Sequence, residues 1–310
     1  MIYTLTLNPA LDKEYRVDQI QFNEVLRASQ MRVDFGGKGF NVSRMLTVLG
    51  VQNEAIGLVG GASGMQLRDG LKAAGIPTDF VQVRGETRTN ISIVEDGFKR
   101  HIKINETGPL VSLSEMDALM AVVQKKTRKG DWWVLSGSLP PGLPQDTYAI
   151  IIHIVQSRGA FAVLDTSGEP MRFGCQAGPC LVKPNLLEAS QITGKPVESS
   201  TQIQQAFEDI HCLGVKNIVI SAGKQGAYFY NENQVLYGRS VEIQEHNPIG
   251  ASDAMLAGIL WQLAEGHAPS DALSWGLACG AAAASQAGTS TPPLDIIKKL
   301  YGKINIKILT

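Results

Sequence analysis

The 310-residue sequence has almost no excess of charge of either sign. Its 28 lysine and arginine residues balance 29 aspartate and glutamate residues, so the formal net charge is −1 at pH 7. Nucleic acid and anionic membrane surfaces attract strongly basic proteins, and this balance therefore predicts neither as a partner. Long hydrophobic runs are missing too, because the longest apolar stretch, near residues 277–284, is too short to cross a bilayer. A phosphorylated ligand would need a local basic pocket.

Cysteine is scarce, with four residues in the chain: Cys175, Cys180, Cys212 and Cys279. No pair forms a C-x-x-C pattern and no histidine cluster lies near, so neither a zinc site nor a disulfide framework is expected. The N-terminal sequence M-I-Y-T-L-T-L-N-P lacks a basic segment and a small-residue cleavage site. It is typical of a first β-strand rather than a signal peptide. These features predict a cytoplasmic protein with reduced thiols.

Internal repeats, low-complexity tracts and linkers rich in proline, glycine or serine are also missing from the sequence. Hydrophobic residues make up 44% of the chain and charged residues 18%, which is enough apolar material for a large core. We therefore expect one α/β domain over residues 1–310. From about residue 105 onward, predicted strands and helices alternate, which is typical of a mostly parallel sheet covered by helices on both faces.

Hydrophobic periodicity and turn residues set the expected element boundaries. They predict strands at residues 2–7, 54–59, 132–136, 160–165, 181–183, 217–221, 227–230 and 234–237, the last two as a hairpin over 231–233. They predict helices at residues 40–49, 64–74, 114–126, 148–157, 203–212, 251–263 and 271–287. Four more polar strands do not fit the alternation: 14–20, 27–35, 89–95 and 99–104. Asp96-Gly97 between the last two is a strong hairpin signal. We expect these four to form a small lid sheet, inserted at about residues 13–35 and 88–105.

The segment 246–258 is the most informative for function. Asn247-Pro248 leads into Gly250-Ala251-Ser252-Asp253, and an apolar run of small residues follows. This pattern predicts a loop that enters a helix N-terminus, where unpaired N–H groups and the helix dipole form an anion site. A carboxylate beside an anion site fits phosphoryl transfer, because the acid can take a hydroxyl proton while the N–H groups stabilise the transferring group. A capped helix start, with Asp253 complementing the dipole, is the alternative.

The glycine-rich segment 36–39, G-G-K-G, matches neither of the common nucleotide-binding fingerprints. Gly39 stands where a Walker A loop needs Ser or Thr, and the upstream glycine spacing is wrong. The segment also lacks the G-x-G-x-x-G pattern, which disfavours a nicotinamide-dependent dehydrogenase. Glycines here would let the backbone approach a ligand closely, or they would only form the turn that starts the next helix.

Three segments together resemble the PfkB, or ribokinase-like, carbohydrate kinase family. They are G-G-K-G-F-N-V-S-R-M-L-T-V-L-G at 36–50, K-P-N-L-L-E at 183–188 and N-P-I-G-A-S-D at 247–253, and their order and spacing match over essentially the whole chain. The resemblance implies an α/β fold, namely a three-layer sandwich with a mostly parallel central sheet and a small β-sheet lid. Four smaller segments resemble the branch that acts on sugar phosphates: 6–12, 85–90, 104–109 and 136–142.

The resemblance implies roles for residues on the sugar side of the site. Asp253 becomes the general base, and Gly250, Ala251 and Ser252 supply backbone donors to the γ-phosphoryl group. The residues implied to bind the sugar phosphate are Asp12, Gly37, Lys38, Asn41, Arg88, Arg27, Lys103 and Ser138. Lys38 and Arg88 would hold its phosphate, for which the fork geometry of arginine is suited. The ordinary alternatives are a turn-capping acid for Asp12 and solvated surface charges for the arginines.

A second group of residues is implied to bind ATP and Mg²⁺. The nucleotide group comprises Lys183, Asn185, Ser221, Gly223, Gly226 and Gly280. Asn185 and Glu188 would organise Mg²⁺ through water, since magnesium usually keeps several of its waters. An N-x-x-E pair is also typical of a helix cap, a 221–226 turn needs no ligand, and Gly280 fits plain helix packing.

Ser252 departs from the family pattern, which has G-A-G-D where this chain has G-A-S-D. Glycine adopts backbone conformations that cost other residues about 1–3 kcal/mol. If Ser252 must take a positive φ, the anion site would be strained; alternatively, its hydroxyl would donate a further hydrogen bond.

The expected function is an ATP- and Mg²⁺-dependent kinase of a sugar phosphate, with fructose 1-phosphate as the first candidate. Tagatose 6-phosphate and fructose 6-phosphate are alternative substrates, and a weakly active sugar-phosphate-binding regulator is the alternative of another class. Lid sheets often pair across a homodimer in the family, which would bury their exposed edges, so a homodimer is expected.

Overall fold

A computed structural model describes residues 1–98, 100–232, 234–245, 247–286 and 290–309. Four predictions touch positions outside these ranges. Lys99 of a predicted lid strand, Asn233 of a predicted hairpin turn, His246 of the 246–258 segment and Ala287 of a predicted helix lie outside the described residues.

The described ranges contain fourteen strands and ten α-helices. The strands are β1 (Ile2–Thr6), β2 (Ala10–Val17), β3 (Gln30–Gly36), β4 (Asn53–Val59), β5 (Thr78–Gln82), β6 (Arg88–Glu95), β7 (His101–Asn105), β8 (Trp132–Ser136), β9 (Phe161–Asp165), β10 (Leu181–Val182), β11 (Asn217–Ser221), β12 (Ala227–Asn231), β13 (Gln234–Gly238) and β14 (Ile306–Ile308). The helices are α1 (Lys38–Val48), α2 (Gly61–Ala73), α3 (Leu113–Lys126), α4 (Thr147–Ser157), α5 (Glu169–Gln176), α6 (Leu186–Thr193), α7 (Ser200–His211), α8 (Ala251–Ala264), α9 (Pro269–Ala284) and α10 (Leu294–Tyr301). None of the helices in these ranges is both long and apolar enough to span a membrane.

The larger sheet has the strand order β14-β13-β12-β11-β10-β9-β8-β1-β4-β5. All pairs from β5 to β11 are parallel, whereas β11 to β14 pair antiparallel. The parallel strands have buried sequences, as in β1, where all five residues are buried. Such strands need cover on both faces, and the mostly parallel sheet predicted from the sequence is confirmed.

Helices cover both faces of this sheet, because neighbouring residues of each strand enter different cores. Trp133 of β8 packs in one core with α3, α4, α5 and α7, whereas the adjacent Val134 packs in the other with α1, α8, α9 and α10. The alternation follows from the two-residue period of a strand. The three-layer sandwich is therefore present.

The smaller sheet has the order β3-β2-β6-β7, with β2 and β6 parallel and the other two pairs antiparallel. Its predicted existence is confirmed, but three boundaries are wrong by three or four residues, because β2 also ends at Val17 rather than at residue 20. β2 starts at Ala10 rather than at residue 14, because Ala10 and Leu11 are buried and pair with the start of β6. Arg27, expected on a strand, lies exposed in the loop before β3.

Several short elements had no counterpart in the sequence prediction: β5, β14, α5 and α10. β5 and β14 are partly exposed edge strands of five and three residues, and α5 and α10 have only eight residues each. Segments this short give weak periodicity, and tertiary packing decides their structure.

The parallel register places three strand ends side by side at one edge of the larger sheet. Thr6 of β1 is opposite Ser136 of β8, which in turn is opposite Asp165 of β9. Carboxyl ends of parallel strands are where ligands bind in open α/β sheets. The first turns of α1 and α8 lie at the same edge, because Lys38 of α1 contacts Asp165 and Ser252 of α8 contacts Lys183, the residue after β10.

Candidate active site

Asp253 lies in the first turn of α8 and is almost fully buried, with 4% of its surface exposed. Its Oδ2 accepts a hydrogen bond of 2.8 Å from Nδ2 of Asn41, in the first turn of α1. Gly250 caps α8 in the left-handed conformation (φ 81°), which glycine adopts without strain. The two helix N-termini therefore face each other across the predicted general base.

Burial, and after it the nearby carboxylate of Asp165, raise the pKa of Asp253 to about 6. The ammonium groups of Lys38 and Lys183 and the hydrogen bond from Asn41 oppose this shift. An acid with a pKa near 6 is ionised at neutral pH and still binds a proton well. These properties suit a general base for a hydroxyl group.

Asp165, at the end of β9, is fully buried between two cations. Its Oδ1 lies 3.3 Å from Nζ of Lys38 and 3.4 Å from Nζ of Lys183. Burial alone would raise the pKa of Asp165, but the two ammonium groups outweigh it and lower the pKa. Asp165 in turn is the main cause of the raised pKa of Lys38. With Asp253, this cluster contains two cations and two carboxylates.

Ser252 does not carry the expected strain. It lies within α8, and Asn23 is the only non-glycine residue with a positive φ in the described ranges. The Ser252 hydroxyl instead accepts a hydrogen bond from Nζ of Lys183. The hypothesis of a distorted anion site is therefore wrong, because the left-handed position of this turn is Gly250.

The N–H of Ala251, expected as a phosphoryl donor, donates to the carbonyl of Pro248 at 3.2 Å. It is therefore engaged within the loop. The N–H groups of Ser252 and Asp253 follow in the first helical turn, where a helix supplies no acceptor of its own.

The lid sheet brings Asp12 to the same edge of the larger sheet. Oδ1 of Asp12 accepts a hydrogen bond of 2.7 Å from Nδ2 of Asn90, its partner in the β2–β6 register. Burial raises the pKa of Asp12, and the hydrogen bond from Asn90 and the charges of Lys103 and Arg88 oppose the shift. Lys103, on β7, is itself exposed.

The backbone at the end of β3 leaves room for the Asp12 carboxylate. A Cβ atom on Gly36 would lie 2.1 Å from Oδ2 of Asp12. The next residue, Gly37, has a φ of 142° and is the N-cap of α1. The two glycines therefore connect the lid to α1 while leaving the acid exposed to a ligand.

Arg88, at the start of β6, connects the lid to the end of β1. Its Nε donates to the carbonyl of Asn8 at 3.2 Å, and Nη1 donates to the carbonyl of Glu106 at 3.0 Å. The side chain of Asn8 donates to Oγ of Ser138 at 3.3 Å. Arg88 and Ser138 line one pocket of about 430 Å³. The structure thus brings together Arg88, a predicted phosphate ligand, and Ser138, a predicted substrate-binding residue.

A larger cavity of about 820 Å³ opens beside α8. Its lining includes Ser221, Gly223 and Gly280, which were predicted for a nucleotide site, and also Ser252. Gly226 has another reason to be glycine, because a Cβ atom there would lie 2.0 Å from the carbonyl oxygen of Gly238.

Asn185 and Glu188 form the helix cap that was the alternative interpretation. Oδ1 of Asn185 accepts from the Glu188 N–H at 2.8 Å, and Oε2 of Glu188 accepts from the Asn185 N–H at 2.9 Å. Asn185 also pairs with Ser221 as an isolated parallel bridge. Over the described ranges, no group of three or more metal-ligating side chains occurs.

Comparison with known proteins identifies the family to which this chain belongs. The profile of pfkB family carbohydrate kinases matches residues 5–296. The chain belongs to the pfkB family. It is therefore a carbohydrate kinase, a phosphotransferase with an alcohol group as acceptor.

Individual relatives cover the chain almost end to end. A 1-phosphofructokinase of Borreliella burgdorferi is 33% identical over 308 residues, which span 99% of this chain and 98% of the relative. A tagatose-6-phosphate kinase of Staphylococcus epidermidis is 32% identical over 310 residues, 99% of each chain. The crystal structure of phosphofructokinase-2 from Escherichia coli in complex with potassium has a TM-score of 0.93 and 29% identity, covering 97% of this chain and 98% of that one.

Two residues of this pfkB-family site were missed by the sequence analysis. Asp165 has a detectable signal, because an acid at the end of a buried parallel strand lies at the ligand edge of the sheet. Arg44 lies one helical turn after Asn41 on α1, a spacing that puts both side chains on one face.

Arg44 determines how the Asn41 amide is oriented. Its Nη1 donates to Oδ1 of Asn41 at 2.7 Å, and its Nη2 donates to the carbonyl of Phe35 at the end of β3. The Asn41 oxygen is thus occupied by Arg44, and the amide nitrogen is left to donate to Asp253.

Proposed function

We propose that this pfkB-family kinase transfers the γ-phosphoryl group of ATP to a sugar phosphate, with Mg²⁺ as cofactor. The first proposed substrate is fructose 1-phosphate, phosphorylated on its 6-hydroxyl to give fructose 1,6-bisphosphate. One observation carries the proposal: buried Asp253 is bonded to Asn41 of α1, the helix that follows lid strand β3, and is adjacent to Ser252, which lines the cavity with Ser221 and Gly280.

In this mechanism Asp253 accepts the proton of the attacking hydroxyl. Asn41 holds the carboxylate in place, and the fixed orientation of the Asn41 amide keeps the proton-accepting group in one position. Asp12 accepts hydrogen bonds from sugar hydroxyls, for which the missing side chain at Gly36 leaves space beside its carboxylate. The lid strands exclude water, because water would compete as the phosphoryl acceptor.

Negative charge develops on the phosphoryl group during transfer, and two lysines on the nucleotide side of the site can stabilise it. Lys38 and Lys183 surround Asp165 close to Asp253, so we assign both lysines to stabilisation of the phosphoryl group. This assignment moves Lys38 from the substrate phosphate to the transfer centre. Arg88 and Ser138 then hold the phosphate that the sugar already carries.

The donor set near the cavity fits Mg²⁺ held mainly by phosphate oxygens and water. Glu188 lies close enough to Lys38 to raise its pKa, and Asp165 has a buried Oδ2 atom with no hydrogen-bond partner in the described ranges. Such sparse carboxylate oxygens suit an ion that keeps most of its waters. When bound, Mg²⁺ neutralises charge on the β- and γ-phosphates.

The names of the relatives support a sugar phosphate as the substrate, but they differ in which sugar phosphate they give. One is a 1-phosphofructokinase and another a tagatose-6-phosphate kinase. Tagatose 6-phosphate and fructose 6-phosphate therefore remain alternative substrates. The absence of strain at Ser252, in the first turn of α8, removes the reason for expecting a weakly active regulator.

A panel of sugar phosphates with ATP and Mg²⁺ in a coupled ADP-release assay tests the proposal. We expect the highest kcat/KM with fructose 1-phosphate, and a loss of at least about 100-fold in kcat for Asp253→Asn, as for removal of a general base. Turnover of another sugar phosphate in preference would change the substrate only. Near-normal kcat in Asp253→Asn would remove Asp253 from its role.

We also propose a homodimer that forms through the lid sheet. β3 and β7 are the edge strands of this sheet, and exposed edges promote pairing between chains. Large apolar side chains are exposed on the same part of the molecule: Phe22, Val25, Met31 and Ile104. A partner that covers them would bury both the apolar groups and the strand edges.

A further inference from the structure

Lys183 and Ser252 form a contact whose donors and acceptors are fixed by chemistry. Lys183 is 1% exposed, and its ammonium group donates to Oδ1 of Asp165 and to Oγ of Ser252. An ammonium group has three donors and no acceptor, so the serine oxygen must be the acceptor. The hydroxyl hydrogen of Ser252 is therefore left to donate elsewhere.

The position of Ser252 restricts where this hydrogen can go. Ser252 is the second residue of α8 and lines the cavity of about 820 Å³ together with Ser221 and Gly280. The N–H groups of the first helical turn point out of the same end of the helix, where they favour an anion. The hydroxyl hydrogen thus has an anionic ligand of this cavity as its natural acceptor.

Two linked hydrogen bonds to charged groups make the Ser252 hydroxyl a stronger donor. Asp165 fixes the Lys183 ammonium, and the ammonium polarises the Ser252 hydroxyl by donating to its oxygen. Linked hydrogen bonds of this kind reinforce one another in a region of low dielectric. Glycine, which the family pattern has at this position, supplies a backbone donor but no hydroxyl.

We propose that the Ser252 hydroxyl donates a hydrogen bond to the terminal phosphate of a bound nucleoside triphosphate. This inference rests on the proposed function, because it takes the cavity beside α8 as the nucleotide site. Ser252 thereby contacts the phosphoryl group that is transferred. Because Lys183 polarises the Ser252 hydroxyl, the hydroxyl hydrogen carries more positive charge toward that group. A nucleoside diphosphate lacks this phosphate and gains nothing from the hydroxyl.

Calorimetric binding without any sugar tests the contact directly. The non-hydrolysable triphosphate AMP-PNP and the diphosphate ADP are titrated, each with Mg²⁺, into the wild type and into Ser252→Ala. We expect Ser252→Ala to weaken AMP-PNP binding about tenfold and ADP binding less than twofold, as for loss of one hydrogen bond to a charged group. Ser252→Thr retains the hydroxyl and should retain the preference for the triphosphate.

A matched control lies in the next helix. Ser270 is the second residue of α9 and precedes Asp271, as Ser252 precedes Asp253 in α8. Ser270→Ala should leave both affinities unchanged. Equal losses for AMP-PNP and ADP in Ser252→Ala, or no loss for either, would overturn the contact.

The outcomes separate this inference from the proposed function. A wild type that phosphorylates a sugar phosphate, with unchanged AMP-PNP affinity in Ser252→Ala, overturns the Ser252 contact alone. A wild type that binds AMP-PNP through Ser252 but transfers phosphate to no sugar phosphate overturns the proposed function alone.

Discussion

An ionised carboxylate that is buried beside a second carboxylate destabilises the folded protein, and Asp253 is such a group. Its pKa rises from an ordinary 3.8 to about 6, first because of burial and then because of Asp165. The folded state therefore holds the proton more tightly than the unfolded chain does. The stability that this proton confers is complete below about pH 4 and is lost as the pH rises through about 6.

Replacing Asp253 with asparagine should therefore stabilise the protein while it removes activity. We expect the free energy of unfolding of Asp253→Asn to exceed that of the wild type by about 1–3 kcal/mol at pH 8, and by little near pH 3.5. Denaturant unfolding at a series of pH values measures this difference. Asp271→Asn is the matched control, since Asp271 holds the same third position in α9 but is only half-buried. A stability difference that stays constant from pH 4 to pH 7 would contradict the explanation.

At the scale of elements, the pairing of β2 with β3 determines the sugar side of the site. Ala10 pairs with Gly36, and the Asp12 carboxylate occupies the space that a side chain on Gly36 would fill. The glycine is required by this close approach rather than by its backbone angles, because Gly36 is not among the positive-φ glycines of the described ranges.

Gly36→Ala should thus affect sugar binding selectively. A Cβ atom 2.1 Å from Oδ2 of Asp12 must displace the carboxylate, so we expect KM for the sugar phosphate to rise at least about tenfold, the cost of one lost hydrogen bond to a charged group. KM for ATP should change less than about twofold. Steady-state kinetics with each substrate varied in turn measures both constants. Gly302→Ala is the control, because a Cβ atom at Gly302 meets nothing closer than 3.8 Å. Parallel increases in both KM values would indicate a general loss of structure.

The elements also show what the sequence could predict. Strands β1, β8 and β9 and helix α8 were located to within one residue, because each combines a buried apolar run with a clear turn at its end. The β2 start was missed because its buried residues Ala10 and Leu11 follow Pro9 directly and look like part of the turn. Its pairing with β6 is a long-range contact that local sequence does not show.

For the site, sequence alone identified the residues that lie in recognisable segments. Asp253 was indicated by its turn and helix start, whereas Asn41 and Asp12 were named through segments that resemble the pfkB family. Asp165 lies outside the recognisable segments, and its pairing with Lys38 and Lys183 joins three distant parts of the chain. Local patterns contain no information on contacts of that kind, so the charge balance of the site became visible only in the folded chain.

At the scale of the whole molecule, the lid exposes large apolar side chains to water, and a partner subunit would bury them. Val25 is 81% exposed and Phe22 is 77% exposed, both in the loop between β2 and β3. We expect the wild type to be a dimer in solution and Val25→Asp to shift it toward the monomer, because a buried charge in an interface is unfavourable. Light scattering coupled to gel filtration measures the mass.

A comparable residue far along the larger sheet serves as control. Ile308 is 71% exposed on the edge strand β14, so Ile308→Asp should leave the mass unchanged. A monomeric wild type, or a Val25→Asp variant that remains dimeric, would contradict assembly through the lid.

The connections that attach the lid to the rest of the molecule are very short. Three residues separate β1 from β2, and Gly37 alone separates β3 from α1. One inserted residue in the first connection would move Asp12 by about 3.3 Å along its strand and turn its side chain to the opposite face. A change of length in this connection should therefore remove the Asp12 carboxylate from the proposed sugar site, whereas a change of side chain should not.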